Sequence, residues 1–161
     1  NVVGTQNTFL GYNTGYMNTV SGNTFVGMSA GSANTIGTGN VFLGWNAGAA
    51  NSTGNLNTFI GYNAGPANTT GSGNTFVGAA AGTANTIGGH NTFLGYNAGG
   101  VNTTGVGNTA IGSLAGRSNI VGTGNVFVGY GAGQYTTVDR NTFVGSLAGS
   151  GNTIGTGNVF V

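Results

Sequence analysis

GNTFVG (residues 73–78) sets an aromatic and an aliphatic residue side by side between glycines, and the same hexapeptide stands at 22–27. It returns as GNVFLG (39–44), GNTAIG (107–112) and GNVFVG (124–129). Side chains alternate across a strand, so two adjacent apolar residues call for burial on both faces. Either the strand is enclosed on both sides, or one of its faces meets another surface.

The hexapeptide belongs to a repeat that accounts for the whole chain. Asn7, Asn23, Asn40, Asn57, Asn74, Asn91, Asn108, Asn125, Asn141 and Asn158 each open a unit, at spacings of 16 or 17 residues. The unit reads N-T-F-(L/V/I)-G-x-x-A-G-x-x-N-T-(T/I/V)-G-x-G. All nine Phe residues occupy its third position: Phe9, Phe25, Phe42, Phe59, Phe76, Phe93, Phe127, Phe143 and Phe160, with Ala110 the one exception. A second Asn column lapses only near QYTTVDR (134–140).

Glycine every few residues, with β-branched Thr, Val and Ile between, opposes helix and favours short strands. Hairpins favour Asn-Gly or Asp-Gly turns, and the chain contains neither dipeptide. A fixed period with like residues in register suits coils stacked about 4.8 Å apart. The expected fold is all-β: a parallel β-solenoid, or β-roll, of nine to ten 17-residue coils. Each coil should carry two short strands, NTF(L/V/I) and NT(T/I/V), in a rod roughly 45 Å long. Residues 1–161 read as one repetitive segment, expected to be a piece of a longer chain.

In such a rod the Phe residues stack as an internal ladder and the Asn side chains hydrogen-bond from coil to coil. The aliphatic neighbours then face outward: Leu10, Val26, Leu43, Ile60, Val77, Leu94, Ile111, Val128 and Val144. An apolar strip of that length is as large as a monomer ordinarily exposes, so it is expected to be an oligomer interface. A third column, Tyr12, Trp45, Tyr62, Tyr96 and Tyr130, follows the central glycine. It packs corners or neighbouring protomers, or it offers aromatic platforms to a glycan or host surface.

Composition excludes much else. The only charged residues are Arg117, Asp139 and Arg140, and the formal net charge is +1, which gives no electrostatic attraction for nucleic acid. So few charges fit a part of an assembly better than a free monomer. One His, one Asp, no Glu, no Lys and no Cys leave no carboxylate pair, metal cluster or triad, so neither enzyme activity nor a cofactor is expected. His90 reads as a solvated corner residue and Asp139, Arg140 and Arg117 as surface charges. GTGNVFLG (37–44) has no Lys and no following helix, which removes the phosphate-loop reading. Calcium-binding rolls need regular Asp. Asn51, Asn68 and Asn102 match the glycosylation pattern, but their place in the Asn ladder makes that coincidence. No apolar run is long enough to span a bilayer as a helix.

The unit GNTAIG (107–112), followed by a small-residue turn, resembles the head repeats of trimeric autotransporter adhesins. That resemblance implies a left-handed parallel β-roll, three of which associate along one apolar face. Most units here depart from it by carrying Phe where the similar repeat has Ala, and the period is longer. No neck, coiled-coil stalk or membrane barrel stands in the sequence. Similar repeats occur in bacterial and phage tail-fibre proteins. The expected function is a non-catalytic extracellular or bacterial cell-surface module, an adhesin head or filament, whose partner is itself as trimer or filament. Two alternatives share the fold. One is an ice-binding solenoid, suggested by the column Thr8, Thr24, Thr58, Thr75, Thr92, Thr109 and Thr142, which Val41, Val126 and Val159 interrupt. The other is a phage or tailocin receptor-binding fibre.

Overall fold

The computed structural model describes residues 4–161. Each repeat contributes one strand: β1 (Thr8–Leu10), β2 (Thr24–Val26), β3 (Val41–Leu43), β4 (Thr58–Ile60), β5 (Thr75–Val77), β6 (Thr92–Leu94), β7 (Thr109–Ile111), β8 (Val126–Val128), β9 (Thr142–Val144) and β10 (Val159–Phe160). They pair in chain order as a single ten-stranded parallel sheet. The register sets like on like, with Phe25 opposite Phe42 and Phe42 opposite Phe59. The chain is therefore the all-β parallel solenoid that the period implies, and the described residues contain no helix.

One detail differs from expectation. The second segment of each coil, NT(T/I/V), is not a strand. Thr35 and Ile36 both donate their backbone N–H to the Ser52 carbonyl, at 3.0 and 3.1 Å. In a parallel ladder successive amides point to opposite neighbours; two that converge on one acceptor make a pinched corner instead. Asn34 strengthens the bend by donating its N–H to the Gly31 carbonyl at 3.0 Å. The segment still bonds coil to coil, without ladder geometry.

The inside of each coil is one ring wide. Phe25, Phe42, Phe59, Phe76, Phe93, Phe127 and Phe143 are fully buried together with an alanine column that includes Ala30, Ala47 and Ala64. The opposite wall must approach the ring closely, and Gly48 shows why only glycine serves there. A Cβ at Gly48 would stand 2.5 Å from the Phe42 ring, and its φ is +59°. From Phe9 to Phe93 the ring centroids lie 4.8–5.0 Å apart and the planes incline by only 6–9°. The rings thus keep almost one orientation from rung to rung along this part of the rod.

Two asparagine ladders satisfy the buried polar groups at the corners. In the column that opens each strand, Asn57 Oδ1 accepts the N–H of Asn74 at 2.9 Å, and Asn57 Nδ2 donates to the Gly71 carbonyl at 2.8 Å. In the second column Asn68 Nδ2 donates to Asn51 Oδ1 at 2.8 Å and to the Gly71 carbonyl at 3.0 Å. Both columns are buried over most of the rod. Asn combines an acceptor and two donors on a short arm, which is why this one residue type can serve two geometries. Asn51, Asn68 and Asn102 have no exposed surface, so their glycosylation motifs are closed to modification in the folded chain.

Candidate functional site

With Phe turned inward, strand alternation sends its two neighbours outward. The outer sheet face therefore carries two parallel columns. The first is Thr8, Thr24, Val41, Thr58, Thr75, Thr92, Thr109, Val126, Thr142 and Val159; the second is the aliphatic series from Leu10 to Val144. Leu10 is 68 % exposed, Leu43 and Leu94 are each 45 % exposed, and Val26, Ile60, Val77 and Val128 are half-buried by their neighbours. The aliphatic column does stand in solvent on the single chain, as alternation requires. No charged residue lies in either column.

The aromatic column lies two residues beyond, at the corner after the central glycine. That glycine, for example Gly44, has φ +135°, and a Cβ there would stand 2.4 Å from the Gly61 carbonyl oxygen. The chain turns tightly at this point and throws the next residue outward. Tyr12, Trp45, Tyr62, Tyr96 and Tyr130 are all exposed, between 40 and 74 %. Trp45 and Tyr62 stack on each other at 4.9 Å and 16°. Each ring covers one face of the other, and the stack runs from one coil to the next. Beside them Asn46 Nδ2 donates to Asn63 Oδ1 at 2.9 Å.

A second exposed apolar series escaped the sequence reading, which had placed it within a strand. Ile36, Ile87, Val121 and Ile154 are 55–89 % exposed on the pinched corner. Their signal was present in the NT(T/I/V) motif, but the side to which they point depends on the corner geometry. The left-handed position before each strand is held by glycine in most coils and by Gln6, Leu56, His90 and Arg140 in the others. His90 is exposed and lies over Gly73, where a Cβ would come within 2.8 Å of its Nδ1. Leu56 crowds Gly39 in the same way, at 2.8 Å, whereas Arg140 leaves a Cβ at Gly124 an ordinary 3.7 Å.

Asp139 Oδ1 accepts from the Thr123 N–H at 2.8 Å, a corner-capping role. Among the described residues no pocket is enclosed, no three metal-ligating side chains converge, and no helix is long and apolar enough to cross a membrane. The candidate site is therefore a surface: an uncharged sheet face with an aromatic edge. A scan against protein-family models matches none, and searches among curated proteins and solved structures find no match.

Proposed function

We propose that the chain is a non-catalytic structural and adhesive module of an extracellular or cell-surface fibre, which self-associates through the outer face of its sheet. The observation that carries this is the continuous aliphatic column on an uncharged face of in-register parallel rungs. A face of constant composition is self-complementary along its whole length, and its apolar surface rewards removal from water. At the rung spacing the two outer columns cover a strip roughly 45 Å long, enough for a specific interface when joined by the flanking aromatics. A trimer about one apolar face, as in the adhesin heads the repeats resemble, is the assembly proposed. Sedimentation equilibrium of the 161-residue chain tests it. Association to a defined species at micromolar concentration is expected, and a monomer at all concentrations would overturn the reading.

A second reading has its own observation. The threonine column stands in register on that same face, with a hydroxyl at one coil spacing after another. A rigid, periodic, uncharged lattice of hydroxyl and methyl groups can order water, and ice is the solid it would fit. Thermal hysteresis in a dilute monomeric sample would favour this reading over the first. The phage-fibre variant differs from the leading one only in its setting and adds no separate residue.

A further inference from the structure

An aromatic stack, an amide ladder and a hydroxyl ladder tie coil to coil, and all of them break at one place. Between the fifth and sixth coils the ties are complete. Phe76 stacks on Phe93 at 4.9 Å, and Asn102 Nδ2 donates to Asn85 Oδ1 at 2.8 Å. The Thr86 N–H and hydroxyl both donate to the Thr103 carbonyl, at 3.0 and 3.1 Å, and the Ile87 N–H joins them at 3.4 Å. The seventh coil, residues 108–124, differs at each point. Ala110 stands in register between Phe93 and Phe127 and has no ring to stack on either. Asn119 turns its Nδ2 to the Gly122 carbonyl of its own coil at 3.1 Å, so Asn102 Oδ1 is left without a partner, and Asn119 Oδ1 finds none in the eighth coil. Ile120 occupies the hydroxyl column. Among the described residues, the Ile120 and Val121 amides make no backbone bond to the eighth coil. What joins these two coils is on the sheet side and at the next corner: the Gly129 N–H donates to the Ile111 carbonyl at 2.8 Å, and the Thr123 N–H to Asp139 Oδ1 at 2.8 Å.

In a stacked solenoid each coil touches only its neighbours, so stability is a sum of coil terms and of contacts between adjacent coils. Cooperativity passes along the rod only as far as those contacts are strong, and a weak one divides the structure into units that open separately. From the coincidence of these losses we infer that the seventh coil is a joint between two folding units, residues 7–107 and residues 125–161. A lost hydrogen bond or ring stack of this kind changes an equilibrium by roughly three- to tenfold. Several at one coil favour separate opening by roughly a hundredfold over a regular coil. The shorter unit therefore opens and recloses while the longer one stays folded. The joint gives the rod one place to yield, and it does so on the corner side, away from the outer sheet face. The inference concerns the chain by itself and does not rest on the self-association reading.

Hydrogen exchange of the full chain, read by mass spectrometry in rising urea below the main transition, tests the joint. Trp45, the single tryptophan of the chain, lies in the third coil, so its fluorescence reports the longer unit alone. Strands β8 and β9 are expected to lose protection at lower urea than β2 to β6, with exchange roughly tenfold faster or more, while Trp45 fluorescence follows β2 to β6. Ile120→Thr, at a position 46 % exposed, returns a hydroxyl to the broken ladder and should narrow the difference. The triple variant Ala110→Phe/Ile120→Thr/Thr136→Asn should close it. Coincident loss of protection in the two units of the parent would overturn the proposal. So would a difference that neither Ile120→Thr nor the triple variant reduces, since that pattern belongs to fraying from one end and not to a joint.

Discussion

The rings of Phe127 and Phe143 are inclined by 30° at 5.7 Å, whereas Phe25 and Phe42 lie at 6° and 4.8 Å. The cause is one coil away. Ala110 stands where a ring belongs, and Phe127 leans into the space: a Cβ on Gly116, in the coil of Ala110, would meet the Phe127 ring at 2.5 Å and Ala110 at 3.5 Å. The tilt fills the void and leaves no pocket. Ala110→Phe should return Phe127 to the stack and bury one more ring, a gain of about 1–3 kcal/mol. Thermal melting should rise by roughly 2–4 °C for each kcal/mol in a chain of this size. A fall would show that the lean has closed the space to a second ring.

The second ladder breaks in the same part of the rod. Asn102 Oδ1 and Asn119 Oδ1 are buried without a hydrogen-bond partner. Thr136, fully buried, occupies the next place in the column and has no amide to donate to Asn119. The coil from Asn125 to Asn141 is one residue short, but shortness does not forbid asparagine there. The coil from Asn7 is equally short, and its Asn18 donates Nδ2 to the Val20 carbonyl at 2.6 Å. Thr136→Asn should supply the missing donor and stabilise by about 1–3 kcal/mol. Hydrogen exchange should slow across residues 119–140; an unchanged or lower melting temperature would count against the ladder account.

The parallel stack, its period and the inward Phe column were legible because each follows from a local rule applied at every repeat: alternation at Thr75–Phe76–Val77, and like residues in register. The second strand was misread because Thr35 and Ile36 have strand composition. Their shared bond to Ser52 depends on the neighbouring coil, which composition does not encode. Trp45 and Tyr62 were legible as exposed, but not as stacked on each other.

Two glycines of adjacent units, Gly78 and Gly107, separate steric from conformational need. At Gly78, φ is +135° and a Cβ would stand 2.5 Å from the Gly95 carbonyl oxygen. At Gly107, φ is +67° and nothing lies within 4 Å. Gly107→Ala should cost only the left-handed strain, about 1–2 kcal/mol. Gly78→Ala adds a backbone clash that must push two coils apart and break the rise of the stack, so a loss above roughly 3 kcal/mol is expected. Urea unfolding of the two variants provides the comparison. Equal losses would mean that the tight corner is softer than the close approach of its coils requires.

The self-association face can be tested without touching the core. Ile60 is half-buried and Leu94 is 45 % exposed, and both point away from the Phe ladder. Lysine at either position keeps its stem on the neighbouring aliphatics and its ammonium in water on an isolated chain. In an assembly the same ammonium is sealed in an apolar seam, where an unpaired charge costs several kcal/mol. Ile60→Lys/Leu94→Lys should therefore yield a folded monomer whose circular dichroism matches the parent while its sedimenting mass falls to one chain. Because the threonine column faces the same side, the variant also divides the two functional readings. A parent that is already monomeric, and that loses thermal hysteresis when the lysines are introduced, would assign the face to ice instead of to a second copy.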